Sequence, residues 1–119
     1  MVCDKEDKVV GWIALSLVSS RCVYKGLAEV SVYVAENHRR TGVGDLLLKT
    51  LISRSEQLGI WTLQAQMFPE NQSSINLHIK NGFRIVGTRK MIGKMTYGRF
   101  KGEWKDNVLL ERRSQVIGI

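Results

Sequence analysis

Hydrophobic and polar residues alternate from Leu27 to Val34, with Val30, Val32 and Val34 on one side and Glu29, Ser31 and Tyr33 on the other. Alternation with a period of two marks a half-buried strand, because successive side chains point to opposite faces of a sheet. Before it, Val9–Val18 is rich in β-formers and predicts another strand, preceded by a polar stretch, Met1–Lys8, that reads as a frayed start. Ser19–Gly26 is the connection between these strands. After Val34 the period becomes helical: Leu47, Leu48, Leu51, Ile52 and Leu58 make an apolar stripe, while Lys49, Arg54 and Glu56 face water. The helix begins at Thr41 or the glycines after it and stops at Gly59.

Ile60–Met67 predicts a further strand, and Phe68–Asn71 a turn. Asn71–Asn81 suits a helix capped by Asn71 or Ser73 and ended by Gly82. Phe83–Gly87 returns to strand and continues through Met91, Thr96–Gly102 reads as a loop, and Trp104–Leu110 is the last strand. The order is strand, strand, helix, strand, helix, strand, strand. It predicts an α/β (α+β) fold, a mixed sheet flanked by helices.

Composition narrows the function. A chain of 119 residues, 44% hydrophobic, suits one domain with its own core. Cys3 and Cys22 have neither metal-binding nor redox spacing, so no metal site and a reduced, cytoplasmic setting are expected. No apolar run approaches the roughly 18 residues of a membrane helix, so no membrane partner is expected. The net charge of +7 is uneven: from Arg84 onward nine Lys/Arg face Glu103, Asp106 and Glu111, giving +6, and the preceding residues carry +1. Such a basic part suits a phosphorylated ligand, an acidic substrate or nucleic acid, or is simply a solvated surface. No helix-turn-helix, zinc finger or aromatic RNA-binding motif accompanies it, so no nucleic-acid partner is expected.

The candidate chemistry lies where the alternating strand hands over to the helix, at Arg39-Arg40-Thr41-Gly42-Val43-Gly44. Unpaired N–H groups and the helix dipole attract an anion there, and glycine allows close approach to the backbone. No Gly-Lys-Ser/Thr follows, which argues against a P-loop. The Arg-x-x-Gly-x-Gly spacing instead resembles the acetyl-CoA pyrophosphate loop of the GNAT N-acetyltransferases. A second block, Asn71-Gln72-Ser73-Ser74-Ile75-Asn76-Leu77-His78-Ile79-Lys80-Asn81-Gly82-Phe83, resembles a segment of the phosphinothricin and methionine sulfoximine acetyltransferase subgroup. Val9–Trp12, Ala28–Val34 and Gly102–Asp106 are similar to other parts of that subgroup, so the likeness runs over about residues 8 to 114. Such enzymes carry a further strand and two helices ahead of the strand at Val9. The chain is therefore expected to be a single, N-terminally shortened GNAT domain over residues 1–119, with a mostly antiparallel sheet.

The resemblance implies an acetyl-CoA-dependent transfer to the α-amine of a small amino acid analogue, in a cytoplasmic enzyme expected to pair as a homodimer. Glu29 is the implied base and His78 a proton donor to the CoA sulfur or a second base; ordinary salt-bridge and hydrogen-bond roles stay open for both. The backbone of Val32, Tyr33 and Val34 would run beside pantetheine, with Arg39, Arg40, Thr41, Gly42, Val43 and Gly44 on the pyrophosphate. Asn71 would bond pantetheine, Ser74 would let its helix pass close by, and Lys80 would reach phosphate. Arg21 and Tyr24 are candidates for the acceptor's carboxylate. The alternative is a CoA-binding domain with an incomplete acceptor site.

Overall fold

In the computed structural model, residues 2–5, 8–35 and 42–119 are described, with side chains from residue 11 onward except at 36–41. The strands are β1 (Val2–Lys5), β2 (Lys8–Leu17), β3 (Leu27–Val34), β4 (Thr62–Met67), β5 (Arg84–Lys94) and β6 (Trp104–Arg113). The helices are α1 (Val43–Gln57) and α2 (Gln72–Lys80), and a 3-10 turn spans Cys22–Tyr24. The strands form one sheet in the order β1-β2-β3-β4-β6-β5, antiparallel throughout except where β3 meets β4.

The alternating stretch is the predicted strand, residue for residue. The frayed start is a correction: Val2–Lys5 forms β1, because pairing with β2, Val2 opposite Trp12, satisfies a backbone that its own side chains would not order. The last two strands also outrun their expected ends, to Lys94 and Arg113, since each completes the other's ladder.

Pairing register puts Ile13, Ala28, Val30, Leu63, Ala65 and Leu110 on one face of the sheet. That face buries with Leu47, Leu48, Leu51 and Ile52 of α1 and Ile75 of α2 in one cluster. Each fully buried Val, Leu or Ile among them contributes roughly 1.5–3 kcal/mol. The opposite face carries Trp12, Glu29, Tyr33, Gln64 and Gln66. Two details of the predicted stripe are corrected. Leu58 lies at the C-cap and is 60% exposed, and Glu56 is drawn in by Arg112 (3.8 Å) and by the Ser114 hydroxyl, which donates to it at 2.5 Å.

Both helices end in the same way. The N–H of Phe83 bonds the carbonyl of His78 (3.0 Å) and that of Gly82 bonds Ile79 (3.1 Å), with Gly82 at φ 92°. Ile60 to Ser55 (2.9 Å) and Gly59 to Glu56 (3.1 Å) repeat the pattern at α1. This pair of hydrogen bonds requires a left-handed residue just past the helix, which only glycine adopts without strain.

The seam between β3 and β4 positions the site. Gly26 O accepts from the N–H groups of Trp61 (2.9 Å) and Thr62 (3.0 Å), after which Leu27, Ala28 and Glu29 pair with Thr62, Leu63 and Gln64. There the ladder stops. Both strands run on, but Val30–Val34 has no β4 partner, and the sheet opens into a wedge.

Candidate active site

Two cavities occupy the wedge. The smaller, about 200 Å³, is lined by Glu29, Val32, Gln66, Asn71, Ser74 and His78 among others. The larger, about 1060 Å³, takes in Val32, Tyr33, Val34, Gly42, Gly44 and Lys80, and shares Asn71 and Ser74 with the smaller. Strand alternation delivers Glu29, and α2 delivers Asn71, Ser74 and His78 on successive turns.

Glu29 sits at the last rung of the seam. The side-chain amides of Gln64 (2.9 Å) and Gln66 (2.5 Å) both donate to its Oε1. His78 is 1% exposed, with its ring edge-on to Phe83 at 5.0 Å between centroids. The glycine-terminated helix end sets that contact, because it turns the chain so that Phe83 folds back over His78. His78 Nδ1 lies 2.7 Å from the carbonyl of Ser74. A carbonyl only accepts, so the proton is on Nδ1 and neutral His78 keeps its lone pair on Nε2. That Nε2 is buried and has no hydrogen-bond partner among the described residues. Burial pushes the imidazole below its usual range, with the Ser74 bond pulling the other way. His78 therefore presents an unprotonated Nε2 at the cavity wall.

Asn71 is the N-cap of α2, yet its side chain makes no capping bond. Its amide is left to the cavities. Gly42 caps α1 at φ 87° and, being glycine, supplies no side-chain cap to the first N–H groups. A Cβ at Gly44 would lie 3.1 Å from Leu77 and 3.4 Å from Val34, so α1 and α2 meet closely there. Val43 contributes only backbone to this end, since its side chain is in the core. Lys80, expected to reach an anion, lies 3.7 Å from Asp45, which also bonds Lys49 (2.9 Å) and Asn81 (3.0 Å). Those bonds from Lys49 and Asn81 hold the Asp45 carboxyl down at about 2, and Asp45 adds a negative charge to this wall of the larger cavity.

Arg39, Arg40 and Thr41 lie outside the described residues. Arg21 and Tyr24 are exposed at the 3-10 turn and line neither cavity. Sequence reasoning did not single out Gln64 and Gln66, nor Arg99, Phe100 and Lys105, which close the larger cavity from the β5–β6 side. Lys105 Nζ sits 3.9 Å from the centre of the Phe100 ring and 5.4 Å from that of Phe68. The period of two in β4 does place Gln64 and Gln66 together, but only the parallel register shows that they face Glu29. Among the described residues no group of three or more His, Cys, Asp or Glu side chains is arranged to hold a metal.

Comparison with known proteins fits this geometry. The chain is 36% identical to a phosphinothricin N-acetyltransferase of Alcaligenes faecalis over 94% of its own length and 55% of that protein's. It is 34% identical to an L-methionine sulfoximine/L-methionine sulfone acetyltransferase of Pseudomonas paraeruginosa, over 74% of this chain and 48% of the other. The chain thus spans about half the length of these curated relatives. Among solved structures, a GNAT superfamily phosphinothricin acetyltransferase from Sinorhizobium meliloti in complex with AcCoA superposes with a TM-score of 0.80 at 31% identity. That match covers 92% of this chain and 57% of the other. Residues 1–83 match the family model described as "Acetyltransferase (GNAT) family". With the wedge between two parallel strands and a helix N-terminus opening beside it, the match settles the ancestry: the chain belongs to the GNAT acetyltransferase family.

Proposed function

We propose that residues 1–119 act as one acetyltransferase domain that moves an acetyl group from acetyl-CoA to the α-amine of a small amino acid analogue resembling phosphinothricin or methionine sulfoximine. The observation that carries this reading is the opened seam, with Glu29 and His78 on the walls of one cavity. Three features support acetyl-CoA as the donor. The unpaired edge of Val30–Val34 suits the amides of pantetheine, which would extend the sheet as an added strand. The N-terminus of α1 behind Gly42 suits the pyrophosphate, together with Arg39, Arg40, Thr41, Val43 and Gly44. The orphaned Nε2 of His78 needs a polar partner, which a donor molecule or a bridging water supplies.

The thioester provides an activated acetyl group. Near neutral pH the acceptor is an ammonium ion, and Glu29 takes its first proton, directly or through water. The nitrogen lone pair then forms the C–N bond, and a β3 main-chain N–H among Val32–Val34 stabilises the negative oxygen. As the C–S bond breaks, the nitrogen sheds its second proton to His78 Nε2. His78 passes that proton to the thiolate, and the one on Glu29 goes to solvent. Asn71 holds pantetheine, Ser74 fixes the His78 tautomer, and Lys80 exchanges Asp45 for phosphate. Arg21 and Tyr24 bind the acceptor's carboxylate in this reading, and their distance from the cavities favours one second reading, a CoA-binding domain with an incomplete acceptor site.

The reading extends to a cytoplasmic homodimer. No helix among the described residues is long and apolar enough to cross a membrane. The stacked Trp12–Tyr33 pair leaves apolar surface for association to cover, which light scattering tests.

The deciding experiment follows free thiol from acetyl-CoA with methionine sulfoximine, phosphinothricin and a panel of amino acids, with CoA binding recorded by thermal shift. Turnover above the no-amine background is expected. CoA binding without turnover on any amine supports the second reading instead.

A further inference from the structure

Gln64 and Gln66 both donate to Oε1 of Glu29, and none of the described residues bonds Oε2. A carboxylate oxygen offers about two lone-pair sites, so two donors fill Oε1 and leave Oε2 as the atom able to accept a proton. We propose that Gln64 and Gln66 form a two-amide clamp that aims Oε2 of Glu29 at the acceptor nitrogen or its bridging water. They are positioning residues. The inference rests on the reading of Glu29 as the base.

The placement of the two amides makes the clamp specific. Gln64 stands opposite Glu29 on the last rung of the seam, and its neighbour on the other side is Glu111. Glu111 is satisfied elsewhere, 3.6 Å from Arg84, so the Gln64 amide is free for Glu29. Gln66 lies two residues beyond the last rung, and its side chain reaches back across the opening to the same oxygen. The clamp therefore crosses the wedge at its apex, where the cavity containing Glu29 and Gln66 begins. The residue type matters as well. A lysine or arginine would add a full charge and hold the carboxylate ionised, which a base that must accept a proton cannot use. Glutamine donates without a net charge, and asparagine falls one methylene short.

The test compares the isosteric variants Gln64→Met, Gln66→Met and the double variant with Glu29→Gln in the full chain. Each single loss is expected to lower kcat about 10-fold and the double about 100-fold, the scale of a misaimed catalytic group. KM for acetyl-CoA and the CoA-induced thermal shift stay within about 2-fold, because donor binding does not involve the clamp. A spectroscopic reading needs neither turnover nor altered glutamines. In ¹⁵N–¹H spectra the side-chain amide protons of Gln64 and Gln66 move upfield in Glu29→Gln, as a charged acceptor becomes a neutral one. Turnover lost in Glu29→Gln but kept in the double variant overturns the clamp alone. Turnover unchanged in Glu29→Gln overturns the reading of Glu29, and the clamp with it. Amide signals that ignore Glu29→Gln overturn the clamp whatever the rates show.

Discussion

Replacing His78 by asparagine tests the buried imidazole through stability, with no substrate involved. Asparagine keeps a donor where Nδ1 donates to Ser74, and removes the titrating nitrogen. The sign follows from burial. At 1% exposure, with Nε2 unpartnered, the folded protein holds His78 neutral below the ordinary imidazole value of 6.5. The unfolded chain takes up its proton near that value, so in this window it binds more protons than the native state. Stability contributed by neutral His78 is therefore present above about pH 6.5 and is lost as pH falls towards the depressed folded value. The slope reaches at most about 1.4 kcal/mol per pH unit, because one proton is at stake. From about pH 7.5 to about pH 5.5 the native sequence should lose on the order of 1 kcal/mol more than His78→Asn. Asp45 and Asp106 are held below the usual carboxylate range by their hydrogen-bonding neighbours and contribute little to this window. Other groups, His38 included, cancel in the comparison. Urea unfolding of both proteins at matched pH values provides the measurement. Parallel pH dependences would refute the inference that His78 is buried neutral.

Three further perturbations report on the site and the seam. Glu29→Gln should reduce kcat by about 10²–10⁴-fold while leaving CoA binding nearly intact, and an unchanged kcat in the thiol-release assay removes Glu29 from the mechanism. Asn71→Ala should leave thermal stability within about 0.5 kcal/mol, because its side chain makes no capping bond, yet weaken CoA binding about 5-fold. A stability loss of more than about 1 kcal/mol in that variant would mean that Asn71 caps α2 after all. Gly26→Ala drives a methyl into the Trp61 ring and should cost roughly 2–3 kcal/mol, read by thermal unfolding alongside tryptophan fluorescence. A variant as stable as the native chain would show that the seam's first contact tolerates displacement.

How far the sequence speaks depends on the range of the interaction involved. Local signals sufficed for β3, for α1 behind its glycines and for α2 with its Gly82 stop, because alternation, helical period and left-handed glycine act within a few residues. The resemblance carried by Ala28–Val34 and Asn71–Phe83 pointed to Glu29 and His78, which now line one cavity. What it did not give depends on chain segments far apart. β1 forms only against β2, and the partners of Glu29 become visible only once the parallel register is known. The His78 tautomer is a local exception, set by the Ser74 carbonyl one helical turn earlier. The expected free phosphate hook at Lys80 misses a tertiary competitor, Asp45.

The short β3–β4 ladder also makes the sheet two half-sheets, β1-β2-β3 and β4-β6-β5, sharing three rungs. Such a joint is where partial opening is cheapest, so the two halves are expected to exchange amide hydrogens as separate cooperative units. Any extended ligand that bonds Val30–Val34 across to the β4 side supplies the missing rungs. At a hundredfold excess over its dissociation constant it stabilises the fold by about 2.7 kcal/mol. Slowed exchange should then spread from the wedge into both halves. The gap is in that sense an unfinished part of the fold, which a ligand of that kind would complete.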